Sequence, residues 1–169
     1  MTIILAVDPG EKACGYAAVA IEGPKVRFVD AGDFEAELGA FAHVLDRLTV
    51  SGLERDLVVA VEQPAGFIHD PFRGPALLAT ASCAGGVAWV AESRGLTVVR
   101  LAATEVRRML LGKTRLGSKS QKGDMDRMIA MVLPGVVVDM PKRSNVHVRD
   151  ALALAVAASW TLAQGRKSA

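Results

Sequence analysis

Cysteine is scarce in this chain of 169 residues, with Cys14 and Cys83 its only two. So few exclude a disulfide framework and any Cys-x-x-Cys metal knuckle. They suit a reducing compartment, and each reads as a small buried hydrophobe. There is no internal repeat, low-complexity tract or interdomain linker. No basic segment precedes the first apolar run, and Asp8 interrupts it, so no signal peptide is expected. The longest apolar stretches, 74–91 and 151–163, are rich in Ala and Gly and read as too short or too weak to span a bilayer. The expectation is a cytoplasmic protein with no membrane association. A Walker-type phosphate loop is also missing.

What is present is a chain that can fold. It is 51% hydrophobic and 22% charged, unlike a disordered segment. Its length suits one domain, expected over 1–165, with 166–169 as a short basic tail. A domain of this size buries about 68–70% of its unfolded surface, so it needs no covalent staple. The net charge of +2 hides an asymmetry. Residues 1–93 carry six Lys/Arg against thirteen Asp/Glu, whereas 94–122 carry eight basic side chains against Glu105 alone. A concentrated basic segment on a nearly neutral protein points to a polyanion such as nucleic acid.

The hydrophobic pattern predicts strands at 2–7, 15–21 and 26–31, the last two joined by Glu22-Gly23-Pro24-Lys25, which is turn chemistry. A helix follows over 35–48, with Leu38, Phe41, Leu45 and Leu48 at helical spacing. The nearly all-apolar run 57–61 reads as a central strand covered on both faces. A helix over 75–92, a strand over 97–101 and a helix over 104–111 come next, then a basic loop over 112–119. Helices over 121–133 and from Ser144 or Asn145 to about Gln164 complete the chain. The fold class is therefore α/β: a five-stranded mixed sheet with helices on its faces, an antiparallel meander carrying two parallel crossovers.

Three acidic residues occupy unusual places. Asp8 ends the first strand and Glu62 ends the fourth. If these strands are parallel neighbours, both carboxylates emerge at the edge where open α/β sheets place their sites. Asp150 lies in the first turns of the last helix, and His147, three residues earlier, shares its face. Taken singly, each carboxylate has a plain reading as turn chemistry, a surface residue or a partner of the helix dipole. Taken together, they would repel one another unless a cation neutralised them, and oxygen donors of this kind suit Mg²⁺ or Mn²⁺. Two such ions can support phosphodiester cleavage. His147 could ligate metal or relay a proton.

The segments Ile4-Leu5-Ala6-Val7-Asp8-Pro9-Gly10 with Gly15-Tyr16, Val61-Glu62-Gln63, and His147-Val148-Arg149-Asp150-Ala151-Leu152-Ala153-Leu154-Ala155 resemble the RuvC family of Holliday-junction resolvases, within the ribonuclease H-like nucleases. The resemblance implies a ribonuclease H-like fold and a metal-dependent endonuclease acting on branched DNA. It implies that Asp8, Glu62 and Asp150 bind two Mg²⁺ ions, with Mn²⁺ able to substitute. The family carries Asp or His at the position of His147, so His147 joins the catalytic and metal set. It implies a homodimer cutting opposed strands, with contact through the helix over 75–92, where Ala84, Gly85, Gly86, Ala88 and Trp89 would permit close approach. It places Arg107 and Lys122 at DNA-contacting positions, with Lys113, Arg115 and Lys119 nearby, all on phosphates. A branch-migration helicase is left open as a partner, since the residues do not identify one.

The departure lies after Glu62, where Pro64-Ala65-Gly66 displace the aromatic that the family uses to stack on a junction base. Phe67 is the candidate here and Phe72 the second. This loop resembles divergent members, phage-encoded ones included, with a wider range of branched substrates. Three other readings compete: a ribonuclease H-like enzyme for forks, flaps or RNA–DNA hybrids, a silent branched-DNA-binding subunit, and an actin-like ATPase. The last needs two lobes, for which 169 residues leave no room.

Overall fold

The computed structural model describes residues 1–23, 25–50, 56–64, 74–112, 120–133 and 146–165. Its elements run β1 (Thr2–Asp8), β2 (Ala13–Glu22), β3 (Lys25–Glu35), α1 (Leu38–Val50), β4 (Leu57–Gln63), α2 (Gly74–Ser93), β5 (Thr97–Ala102), α3 (Ala103–Leu111), α4 (Ser120–Val132) and α5 (Val146–Gly165). One sheet has the order β3-β2-β1-β4-β5. β1, β2 and β3 pair antiparallel, while β1–β4 and β4–β5 pair parallel. This is the mixed sheet expected from the alternation of apolar runs and helical periods.

Alternation along the strands sorts the side chains onto two faces. Ile3, Leu5 and Val7 of β1, with Val59 and Val61 of β4, pack against Phe41, Val44, Leu45 and Leu48 of α1 and against α2. Ile4 and Ala6, with Ala60 of β4 and Ala17 and Val19 of β2, face the other layer, made by α3, α4 and α5. α5 is buried from Ala151 through Ser159 and brings Ala151, Ala153, Ala155, Ala157 and Ala158 to that core. Meeting Ala6, Ala17 and Ala60, these short side chains let the helix lie close to the sheet.

Two expectations need correction. Glu35, placed in the first helix, is the last residue of β3 and pairs with Ala13. Gly32 and Asp33 look like strand breakers, yet Gly32 makes room for the Tyr16 ring, so β3 continues past Ala31 along the sheet edge. α2 runs 20 residues, Gly74–Ser93, and by length and composition is long and apolar enough to cross a membrane, against the sequence expectation. In this fold its Val87, Val90 and Ala91 are buried against the sheet. Ala84 and Ala88 are also buried, so of the small residues expected to face a partner copy only Gly85 is exposed, on the side of Leu78 and Trp89.

The far layer is pinned by polar contacts. Tyr16 donates to Asp30 at 3.1 Å, and Arg47 of α1 donates to Asp30 at 2.6 Å and to the Tyr16 oxygen. On the near layer, Gly112 in the left-handed region closes α3, and Arg149 of α5 pairs with Asp126 of α4 at 3.6 Å.

Candidate active site

Side-chain parity builds the site. Asp8 extends the series Ile4, Ala6 on β1, and Glu62 extends Ala60 on β4, so both leave the sheet on the α5 side. The last shared register pair is Val7↔Val61, one step before the two carboxylates. Both therefore stand at the carboxyl ends of adjacent parallel strands, as expected from the sequence. α5 then arrives over them. His147 Nδ1 lies 2.6 Å from Asp8 Oδ2, closing a contact across 139 residues of chain.

Two glycines make that approach possible. A Cβ at Gly10 would stand 3.0 Å from His147 Nε2 and would run into the carbonyl of Ala13. A Cβ at Gly15 would occupy the same space as the His147 backbone carbonyl. Gly15 is also the register partner of Asp8. The Asp8-Pro9-Gly10 turn is thus more than turn chemistry, because its glycine clears the floor beneath the imidazole.

The electrostatics show strain of like charges. Burial pushes the Asp8 carboxyl up to about 6, against the lowering effect of the His147 hydrogen bond, and the nearby Asp150 charge adds to the rise. Burial likewise pushes Glu62 up to about 8, and the charges of Asp8 and Asp150 raise it further while Arg107 opposes them. Asp150 is thereby placed within electrostatic reach of both strand carboxylates, although it lies on the exposed side of α5. Perturbed carboxylates gathered at one sheet edge are a mark of a functional site.

Among the described residues, no three His, Cys, Asp or Glu side chains are drawn into a ready ligand cluster. Repelling carboxylates stay apart until a cation neutralises them. The donor chemistry, hard oxygens with one imidazole, still suits a divalent ion.

Arg107 lies on α3, close enough to act on Glu62. Lys122 falls in α4, whose first residues are described by their backbone alone. Lys113, Arg115, Lys119, Phe67 and Phe72 lie outside the described residues, as does the segment holding Ser144 and Asn145. Sequence reasoning did not pick out the pairing of Cys14 with Cys83, whose sulfurs lie 3.2 Å apart. Their separation of 69 positions carries no local signal.

A family model described as crossover junction endodeoxyribonuclease RuvC matches residues 4–158, which spans β1 through most of α5. The chain belongs to this family. Among its relatives, the RuvC of Anaeromyxobacter dehalogenans (strain 2CP-C) is 34% identical over 158 residues, covering 91% of this chain and 78% of that protein. The RuvC of Paracoccus denitrificans is 30% identical over 170 residues, covering 96% and 94%. In fold the chain is similar to T. thermophilus RuvC solved in complex with a Holliday junction substrate. There the TM-score is 0.73 at 23% identity, with 98% and 97% of the two chains covered. The fowlpox virus Holliday junction resolvase is similar at a TM-score of 0.62 and 13% identity, with 95% and 99% covered. Membership makes this chain a metal-dependent, structure-selective endonuclease of the crossover-junction class.

Proposed function

We propose that Asp8, Glu62, Asp150 and His147 hold two Mg²⁺ ions, replaceable by Mn²⁺, and that this edge hydrolyses phosphodiester bonds at four-way DNA junctions. The observation that carries the reading is the His147–Asp8 contact at 2.6 Å, made beside a Glu62 that burial and like charge hold up at about 8. Divalent ions, when bound, supply Lewis-acid stabilisation of the leaving oxygen and lower the pKa of a water. The chain's own residues do the rest. Asp8 and Glu62 exchange protons for cations, because protonated carboxyls are poor ligands. Nδ1 of His147 holds Asp8 in place, and Nε2, above Gly10, is the atom that would take a metal or a proton.

The basic surface supplies positioning. Arg107 and Lys122, with Lys113, Arg115 and Lys119, bind phosphates without reading sequence. Phe67, five residues after Glu62, stacks on an unpaired base at the junction centre, an interaction typically worth about 1–3 kcal/mol. Two opposed strands need two sites, and α2 offers the contact for a homodimer. Leu78 and Trp89 are 61% and 65% exposed, three turns apart on one side of the helix. Exposed apolar residues of this size on one stripe favour a partner surface.

The test is purified protein with labelled four-way junction, fork, flap and linear duplex, each with Mg²⁺. The junction should be cut by paired incisions and the duplex left intact. Faster cutting of the fork or flap would overturn junction selectivity in favour of the broader branched-DNA nuclease.

A further inference from the structure

Cys14 and Cys83 are the only cysteines of the chain, and the fold brings them together from β2 and α2. Their sulfurs are 3.2 Å apart, within hydrogen-bonding distance of each other. A disulfide needs about 2.05 Å, so a further approach of about 1.1 Å forms the bond. Cys14 is fully buried, whereas Cys83 is half-buried and reachable from the surface of α2. Neither thiol has a part in the mechanism above. A pair of buried hydrophobes would serve the core equally well as Ala or Val, so the contact between two thiols is the feature to explain.

The position matters as much as the distance. Cys14 faces the α1/α2 layer, while the next residue, Gly15, faces α5. Gly15 pairs with Asp8 and lies hard against the backbone of His147. A pull on Cys14 toward α2 therefore moves the strand residue that seats both members of the His147–Asp8 contact. We propose that Cys14 and Cys83 form a reversible disulfide, made by exchange with a small-molecule disulfide, and that this bond switches the nuclease off. The switching half rests on the nuclease reading given above; the bond itself does not.

The chemistry balances. Cys83, the reachable sulfur, gives up its proton and attacks the small disulfide as the thiolate, forming a mixed disulfide and releasing one small thiol; its hydrogen bond to Cys14 and its burial hold the Cys83 thiol up, so this first exchange is the slow one. The Cys14 sulfur then attacks Cys83 Sγ, forming the Cys14–Cys83 bond and expelling the second small thiol. Two protein thiols lose two electrons and two protons, and the small disulfide is reduced to two thiols. In the second step Cys83 carries no thiol hydrogen, so Cys14 gives up its proton to water and attacks as the thiolate. Displacements near 1 Å at a reacting site cost up to about a hundredfold in rate.

The test equilibrates full-length protein with glutathione and glutathione disulfide at stepped ratios. Intact mass, free-thiol count and junction cleavage are read on each sample. The expected result is loss of two thiols with a mass lower by two hydrogens, a cleavage rate lower by about ten- to a hundredfold, and full recovery in dithiothreitol. Cys83→Ser should cut like reduced wild type and keep its rate at every ratio; Cys14→Ala should behave likewise, so that one badly folded variant does not decide the matter. No intramolecular bond at any ratio overturns the proposal, and so does a disulfide form that cuts at the reduced rate. Should the reduced protein cut no branched DNA, the nuclease reading fails, while mass and thiol count still decide whether the bond forms.

Discussion

Replacing Glu62 with glutamine removes a carboxyl whose ionisation is opposed by burial and by the charges of Asp8 and Asp150. The carboxyl is raised from 4.5 to about 8 in the folded chain. A group raised in this way costs the fold nothing below its unfolded value and destabilises it progressively as pH climbs to the folded value. Each unit corresponds to about 1.4 kcal/mol, which sets a ceiling of roughly 3 kcal/mol at pH 7. Local relaxation and water entry leave about 1–2 kcal/mol of that. For a chain of this size a kcal/mol moves Tm by about 2–4 °C. Chelator-treated Glu62→Gln should therefore melt roughly 3–6 °C above wild type at pH 8, and the gap should close at pH 5, where Glu62 is already largely neutral. Scanning calorimetry at both pH values, with and without Mg²⁺, measures this. Mg²⁺ should raise the wild-type Tm and leave the variant nearly unmoved. A variant no more stable than wild type at pH 8, or equally stabilised at pH 5, refutes the picture of a repulsive edge awaiting a cation.

Asp8→Asn and Asp150→Asn should each lower junction cleavage by at least about 10–100-fold, the range known for groups that merely support metal ligands, while gel-shift affinity for the junction in Ca²⁺ holds; strong residual cleavage by either removes that residue from the site. Charge removal at Arg107, Lys119 and Lys122 should weaken binding to all branched DNAs alike and flatten log K against log salt by about 0.9 per lost phosphate contact; an unchanged slope in the triple variant makes this a solvated face. Gly15→Ala should cost about 1–3 kcal/mol, because the new methyl would overlap the backbone of His147 and Val148, whereas Gly39→Ala in α1, which meets nothing within 4 Å, should be neutral or stabilising by up to about 1 kcal/mol; chemical denaturation of both separates a steric effect from a general one. Trp89→Glu should convert a dimer to monomers in sedimentation velocity, and an unaltered sedimentation coefficient places the dimer contact elsewhere.

The carboxylate edge was legible because strand ends are written locally. An apolar run ending in Asp8, and another ending in Glu62, state position and parity once the two strands are taken as parallel neighbours. His147 and Asp150 were legible as a helical pair, and the family resemblance joined them to the strands. The contact partner of His147 was not legible, since no local pattern says which of three carboxylates an imidazole will meet. Gly10 and Gly15 read as turn and strand residues; their work is to leave space for a helix that arrives more than 130 residues later, which only the assembled fold displays. The end of β3 was misread because Gly32 looks like a terminator until the Tyr16 ring fills the room beside it. The thiol pair was hidden for the same reason as the imidazole contact, as both depend on how α2 and α5 lie across the sheet.

The alanine-lined seat of α5 sets how far this enzyme can drift. A helix resting on methyl groups has no slack, so one added branch at Ala151 or Ala155 lifts the helix and carries Asp150 and His147 away from Asp8. The lift needed to spoil a reacting geometry is about 1 Å, less than the diameter of the added methyl. Random substitution in this part of the core will thus silence the nuclease in proteins that still fold and still bind branched DNA. In a population, such variants would be worse than absent, because a folded, inert copy occupies the substrate. Selection then acts on the seat of the helix as strictly as on the carboxylates above it.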